Sequence, residues 1–74
     1  MTKIVPKYVA YSLIEEAYIE YYRFKYRGGC DFTRFIEIAD MQDAEEQVLR
    51  DLENYEVNMC QVLKINVIVE DEGE

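Results

Sequence analysis

A chain of 74 residues with sixteen acids against eight bases carries a formal charge of −8, and its length matches one domain. At that size a single core supplies only about 3–5 kcal/mol unless a staple or a partner adds to it. Half the residues are apolar, with one proline, three glycines and no histidine, which excludes a low-complexity chain and removes the commonest metal ligand and general base.

The opening run MTKIVPKYVAYSLIEEA breaks its apolar residues with Lys7, Ser12, Glu15 and Glu16. It is expected to be neither a secretory signal nor a membrane span, so the expected compartment is the cytoplasm. Residues 1–17 are taken as an N-terminal segment, in which 7–16 reads as a short helix. Residues 18–27 support two readings. Pro6 as a first helical residue, with Ser12, Glu16, Glu20, Arg23 and Arg27 at helical spacing before Gly28, describes one long helix over 6–27. The density of Tyr, Phe and Ile favours a strand instead, with Tyr22, Phe24 and Tyr26 on one face and Tyr21, Arg23, Lys25 and Arg27 on the other.

The next segment, CDFTRFIEIAD, alternates as a second strand: Phe32, Ile36 and Ile38 share a face that Arg34 interrupts. A three-residue loop, Gly28, Gly29 and Cys30, would close the hairpin and set Arg27 opposite Asp31, Tyr26 opposite Phe32, Tyr22 opposite Ile36 and Tyr21 opposite Glu37. Asp40 then stands where an N-cap belongs. Met41, Ala44, Val48, Leu52 and Tyr55 recur at helical spacing, so a helix is predicted over residues 41–55. Its outer face carries Asp43, Glu46, Arg50 and Glu53, with Glu46 and Arg50 one turn apart.

After Asn58 the period becomes two. Leu63, Ile65, Val67 and Val69 alternate with Val62, Lys64, Asn66, Ile68 and Glu70 as a last strand, before an acidic tail at residues 71–74. The predicted fold is α+β: a small antiparallel or mixed three-stranded sheet in the order β-β-α-β over residues 18–70, with one helix on one face. A right-handed crossover would run the last strand parallel to the second and beside the first, putting YYRFKY at the sheet centre. Cys30 and Cys60 would then lie at one end of the sheet as free thiols.

Charge is divided unevenly. Residues 1–36 carry six bases and four acids; residues 37–74 carry twelve acids against Arg50 and Lys64. Such a block serves a small domain as a solubilising face, or it mimics nucleic acid, since carboxylates three and four residues apart on a helix lie about 5–6 Å apart at Cβ. The aromatic and basic run YYRFKYRGG suggests a stacking platform for single strands, but the net charge and the core role of Tyr22, Phe24 and Tyr26 argue against direct nucleic-acid binding. Ser12 has no histidine to activate it, and no phosphate loop or metal-binding spacing is present, so neither catalysis, cofactor nor metal is expected.

The run YYRFKYRGGCDFTRFIEIADMQDAEEQVLRDLENYEVNMCQVLKINVIVE resembles small, often acidic accessory proteins of bacterial viruses, through a hairpin, a strand ending in IEIADMQDAEEQV, a helix and a last strand. These include inhibitors of host RNA polymerase and several anti-CRISPR and anti-restriction proteins. The resemblance implies a non-enzymatic inhibitor that occupies a basic nucleic-acid-binding cleft of a larger host protein, a CRISPR effector first and RNA polymerase as the alternative. The surface expected to do so is Asp43, Glu45, Glu46, Glu53, Glu56, Glu70, Asp71 and Glu72. A reading of another class is a self-associating assembly module, a homodimer through Tyr21, Phe35, Val62 and Ile68 on the uncovered sheet face.

Overall fold

The computed structural model describes residues 2–24 and 29–70. Four strands form one antiparallel sheet: β1 (Thr2–Ser12), β2 (Ala17–Phe24), β3 (Gly29–Thr33) and β4 (Cys60–Glu70), in spatial order β3-β2-β1-β4. A short 3-10 helix, Ile36–Ile38, and one α-helix, α1 (Glu45–Asn54), lie between β3 and β4. The α+β class and the helix-on-sheet plan agree with the sequence reading, while the number and order of strands do not.

The N-terminal segment is a strand, not a helix. β1 pairs with β4 over its whole length, from Thr2 opposite Glu70 to Ser12 opposite Cys60, and a turn at residues 13–16 reverses the chain, which rules out one helix over 6–27. In that turn the Ser12 hydroxyl accepts the Glu15 N–H (3.0 Å), the Ser12 carbonyl accepts the Glu16 N–H (2.9 Å), and Glu16 takes φ 55°. The last strand therefore adds to β1 and not to β2, and it runs antiparallel to β1. A backbone ladder of eleven residue pairs, with Val9, Ala10 and Ser12 buried at its inner end, outweighs the local helical signals of Pro6 and the polar stripe.

The hairpin of β2 and β3 exists but in another register. Tyr18 faces Thr33, Ile19 faces Phe32, Tyr21 faces Asp31 and Tyr22 faces Cys30, with irregularities between Ile19 and Tyr21 and between Tyr22 and Phe24. Tyr21 and Tyr22 are paired six residues short of the expected partners because Phe24 already faces Gly29, and along the ladder each of the two bulges shifts the register by one residue more. Gly29 and Cys30 belong to β3 rather than to the loop; Lys25, Tyr26, Arg27 and Gly28 lie outside the described residues. The partner of Asp31 is Arg23, whose Nε lies 3.0 Å from both carboxylate oxygens.

β3 also ends early. The Thr33 hydroxyl accepts the Phe35 N–H (3.1 Å), and this local bond turns the chain into the 3-10 helix in place of a continuing strand. Asp40 does not cap a helix either: α1 begins five residues later, the Asp40 carboxylate accepts the Gln42 amide (2.8 Å), and its N–H donates to the Ile19 carbonyl (2.9 Å). Two residues on, Gln42 and Tyr8 exchange backbone bonds, each 2.9 Å. Residues 40–42 thus wedge between β2 and β1, which pair directly only at Tyr11–Tyr18 and Ser12–Ala17.

Helix α1 starts four residues later than predicted, with Ala44 as N-cap; Met41 lies outside it. The Gln47 side chain reaches back to accept the Asp43 N–H (3.1 Å) and Ala44 N–H (3.3 Å), which is one half of a capping box; the methyl group of Ala44 cannot supply the other half. Val48 and Leu52 form the buried face as their spacing requires. They meet Ala10 and Ile19 in one cluster, flanked by Tyr8, Tyr22, Cys30, Phe32, Val57, Cys60 and Val62. Tyr55 lays its ring against Tyr22, with centroids 4.9 Å apart.

That cluster also fixes which side of β4 meets the helix. Cys60 and Val62 pack under α1, so Leu63, Ile65, Val67 and Val69 belong to the other face, the reverse of the expected arrangement. Val9 is fully buried on that second side. Beyond it β1 and β4 continue together as a two-stranded ribbon away from the helix, and the molecule measures 45 × 22 × 18 Å.

Candidate protein-binding surfaces

The predicted acidic surface is built mostly by α1 and its ends. Glu45 and Glu46 occupy the first turn, where the unpaired N–H groups favour negative charge. Glu53 follows Glu46 by seven residues, about two turns and some 10 Å along the axis, on the same exposed side. Glu56 sits just past the helix in the left-handed region at φ 55°. Asp43 is tied to Lys7 by an ion pair, the second pair among the described residues being Arg23–Asp31. Glu45, Glu46, Glu53, Glu56 and Glu70 therefore have no ion-pair partner among the described residues, and Glu46 and Arg50 do not pair across their turn. Glu70 stands apart from the others, at the end of β4 opposite Thr2. Asp71 and Glu72 lie outside the described residues.

The four residues expected to make a dimer face do not share one. Val62 packs beneath α1 against the core cluster, whereas Ile68, on the same side of β4, is far out on the ribbon and 70 % exposed. Tyr21 is exposed on β2 with the Arg23 guanidinium 5.7 Å from its ring centroid. Phe35 is exposed ahead of the 3-10 helix. The large apolar side chain that does face Ile68 across the ribbon is Ile4, 68 % exposed. Nothing in the sequence marks its face, since Val5 and Val9, which alternate with Ile4, Tyr8 and Ala10, are apolar as well.

Beneath the helix lies a cluster of ionisable groups that spacing could not disclose. The Gln42 amide donates to Asp40 (2.8 Å) and to Asp51 (3.3 Å), holding two carboxylates near the Tyr22 ring. Burial and then Asp40 raise the Asp51 carboxyl above the ordinary range. Burial, followed by Asp51 and Asp40, raises the Tyr22 hydroxyl. The two cysteines are both free thiols packed on the core cluster. Burial first, then Cys60 and Asp31, pushes the Cys30 thiol up to about 11, and burial raises Cys60 as well. Thiols held in the protonated form are poor nucleophiles.

A concavity of about 240 Å³ opens between the β1–β2 turn and the end of α1, lined by residues including Ser12, Phe32, Glu56 and Val57. The Ser12 hydroxyl there is buried and bonded to the Glu15 N–H, so it is held as a turn-forming group. Among the described residues no helix is long and apolar enough to cross a membrane, and no three His, Cys, Asp or Glu side chains gather as a metal site. Compared with known proteins, the chain matches no family model, no curated protein and no solved structure.

Proposed function

We propose that this protein is a small non-enzymatic inhibitor, of the kind bacterial viruses use, that places the acidic helix α1 in a basic nucleic-acid-binding cleft of a larger host protein. The observation that carries the reading is the group Glu45, Glu46, Glu53 and Glu56, exposed around one short helix and free of ion pairs with any described cation. Such carboxylates keep their full attraction for an external cationic surface, whereas Asp43, already paired with Lys7, adds less. The resemblance to accessory inhibitors favours a CRISPR effector as target, with host RNA polymerase as the alternative. Binding would be direct to protein, without nucleic acid, cofactor or membrane.

The test is capture of host proteins by the tagged full chain at low and high salt, followed by competition with nucleic acid on the protein recovered. A nucleic-acid enzyme that is released by salt, displaced by its own substrate and bound at least tenfold more weakly by Glu46→Lys and Glu53→Lys fits the proposal. Binding that withstands both the charge reversals and high salt refutes it.

A further inference from the structure

Among the described residues four stretches of strand edge lack a partner strand: the outer edges of β3 and β4, and the facing sides of β2 and β1 beyond their short pairing, where Asp40 bonds Ile19 and Gln42 bonds Tyr8. The outer edge of β3 is five residues long and irregular in register. The side of β1 that faces away from β4 is plugged at Tyr8 by Gln42. Since Tyr8 directs its N–H and C=O to that side, alternation directs those of Thr2, Ile4 and Pro6 the same way, and Pro6 removes a donor from the row.

The outer edge of β4 has no such protection. By the same alternation Lys3, Val5, Lys7 and Val9 bond inward to Val69, Val67, Ile65 and Leu63. Val62, Lys64, Asn66, Ile68 and Glu70 then point their backbone groups outward. Among the described residues no backbone bond from outside the β1 ladder reaches residues 62–70, and the strand contains neither proline, glycine nor bulge. An edge this long and regular is a template for another strand.

We propose that the occupant is the β4 edge of a second copy, paired antiparallel about a two-fold axis through Val67. The side chains are self-complementary in that register. β4 carries only two charges, Lys64 and Glu70, of opposite sign and three residues either side of Val67. The two-fold sets each Lys64 opposite the partner's Glu70, twice over. It also sets Asn66 against the partner's Ile68, and its pairs join outward-pointing backbones, as the ladder requires. On the face away from α1, Ile65 meets the partner's Val69 and Val67 meets its own copy, so the apolar row continues across the axis and the exposed ribbon ends gain cover. The result is one eight-stranded sheet whose two acidic helices lie over the Cys60–Val62 ends of the β4 strands, at opposite ends of the seam.

Sedimentation equilibrium of the full chain across concentration, with three variants, tests this. The native chain should dimerise. Asn66→Pro should be monomeric with unchanged far-ultraviolet circular dichroism, because the lost N–H points out of the molecule. Lys64→Glu should weaken the dimer about tenfold by making both cross-strand charge pairs repulsive, and adding Glu70→Lys should restore it. The charge exchange keeps the test open should the proline variant fold poorly. A native chain that stays monomeric at millimolar concentration, or a Lys64→Glu variant that the second change does not rescue, overturns the proposal.

Discussion

Replacing Glu56 with glycine should stabilise the protein, and the expected size follows from the end of α1. Val57 donates its N–H to the Leu52 carbonyl (2.9 Å) and Glu56 to the Glu53 carbonyl (3.2 Å). With Tyr55 as C-cap these two bonds form a Schellman motif, in which Val57 also packs against the cluster containing Leu52. The position with φ 55° is Glu56, where a side chain costs about 1–2 kcal/mol relative to right-handed backbone. Glycine avoids that strain but adds about 0.5–1 kcal/mol of unfolded-state entropy. Removing an exposed acid from a helix C-terminus returns a few tenths of a kcal/mol more. The net gain is about 1 kcal/mol, which in a domain of this size raises Tm by about 4–8 °C. Thermal unfolding followed by circular dichroism should rank Glu56→Gly above Glu56→Gln, since glutamine removes only the charge. If the two variants melt together, strain at residue 56 is not the cause.

Two further outcomes are expected. Ile19 is 1 % exposed, so Ile19→Ala should cost about 2–5 kcal/mol, enough to unfold much of a domain this small at 25 °C, as urea titration would show. Stability should fall as pH rises from about 9 to 11, because the native state keeps the Cys30 proton while the unfolded chain releases it. Tyr22, also raised, acts in the same direction above 10, and Cys30→Ala should flatten the Tm against pH curve between 9 and 11.

What could be read from the sequence were the elements whose burial shows in a short window. Val48 and Leu52 at four-residue spacing, and the alternation of Leu63, Ile65, Val67 and Val69 with Lys64, Asn66 and Glu70, identify α1 and β4 without help from the rest of the chain. β1 is hidden because its partner at the Thr2 end is Glu70, almost the whole chain away, while Pro6 and Ser12 supply local helical signals. Asp40 has the type and place of an N-cap, yet its carboxylate is taken by the Gln42 amide and its N–H by Ile19 across the sheet, a contact no window contains. The acids of α1 were legible as an exposed group; that Asp43 is spent on Lys7, and that Val62 lies under the helix while Ile68 does not, depends on tertiary placement.

The wedge of residues 40–42 connects these features to function. By separating β2 from β1 it lets β1 and β4 leave the body as a ribbon, so the open β4 edge and the acidic helix become distinct surfaces. Their salt responses should then differ. Association of carboxylates with a cationic cleft weakens as ions screen the attraction. Edge pairing joins two chains of charge −8, and its two exposed Lys64–Glu70 pairs are small beside that mutual repulsion, so screening should strengthen the dimer or leave it unchanged. A single salt series on the free protein and on its captured partner therefore separates the two interactions, and loss of one leaves the other standing.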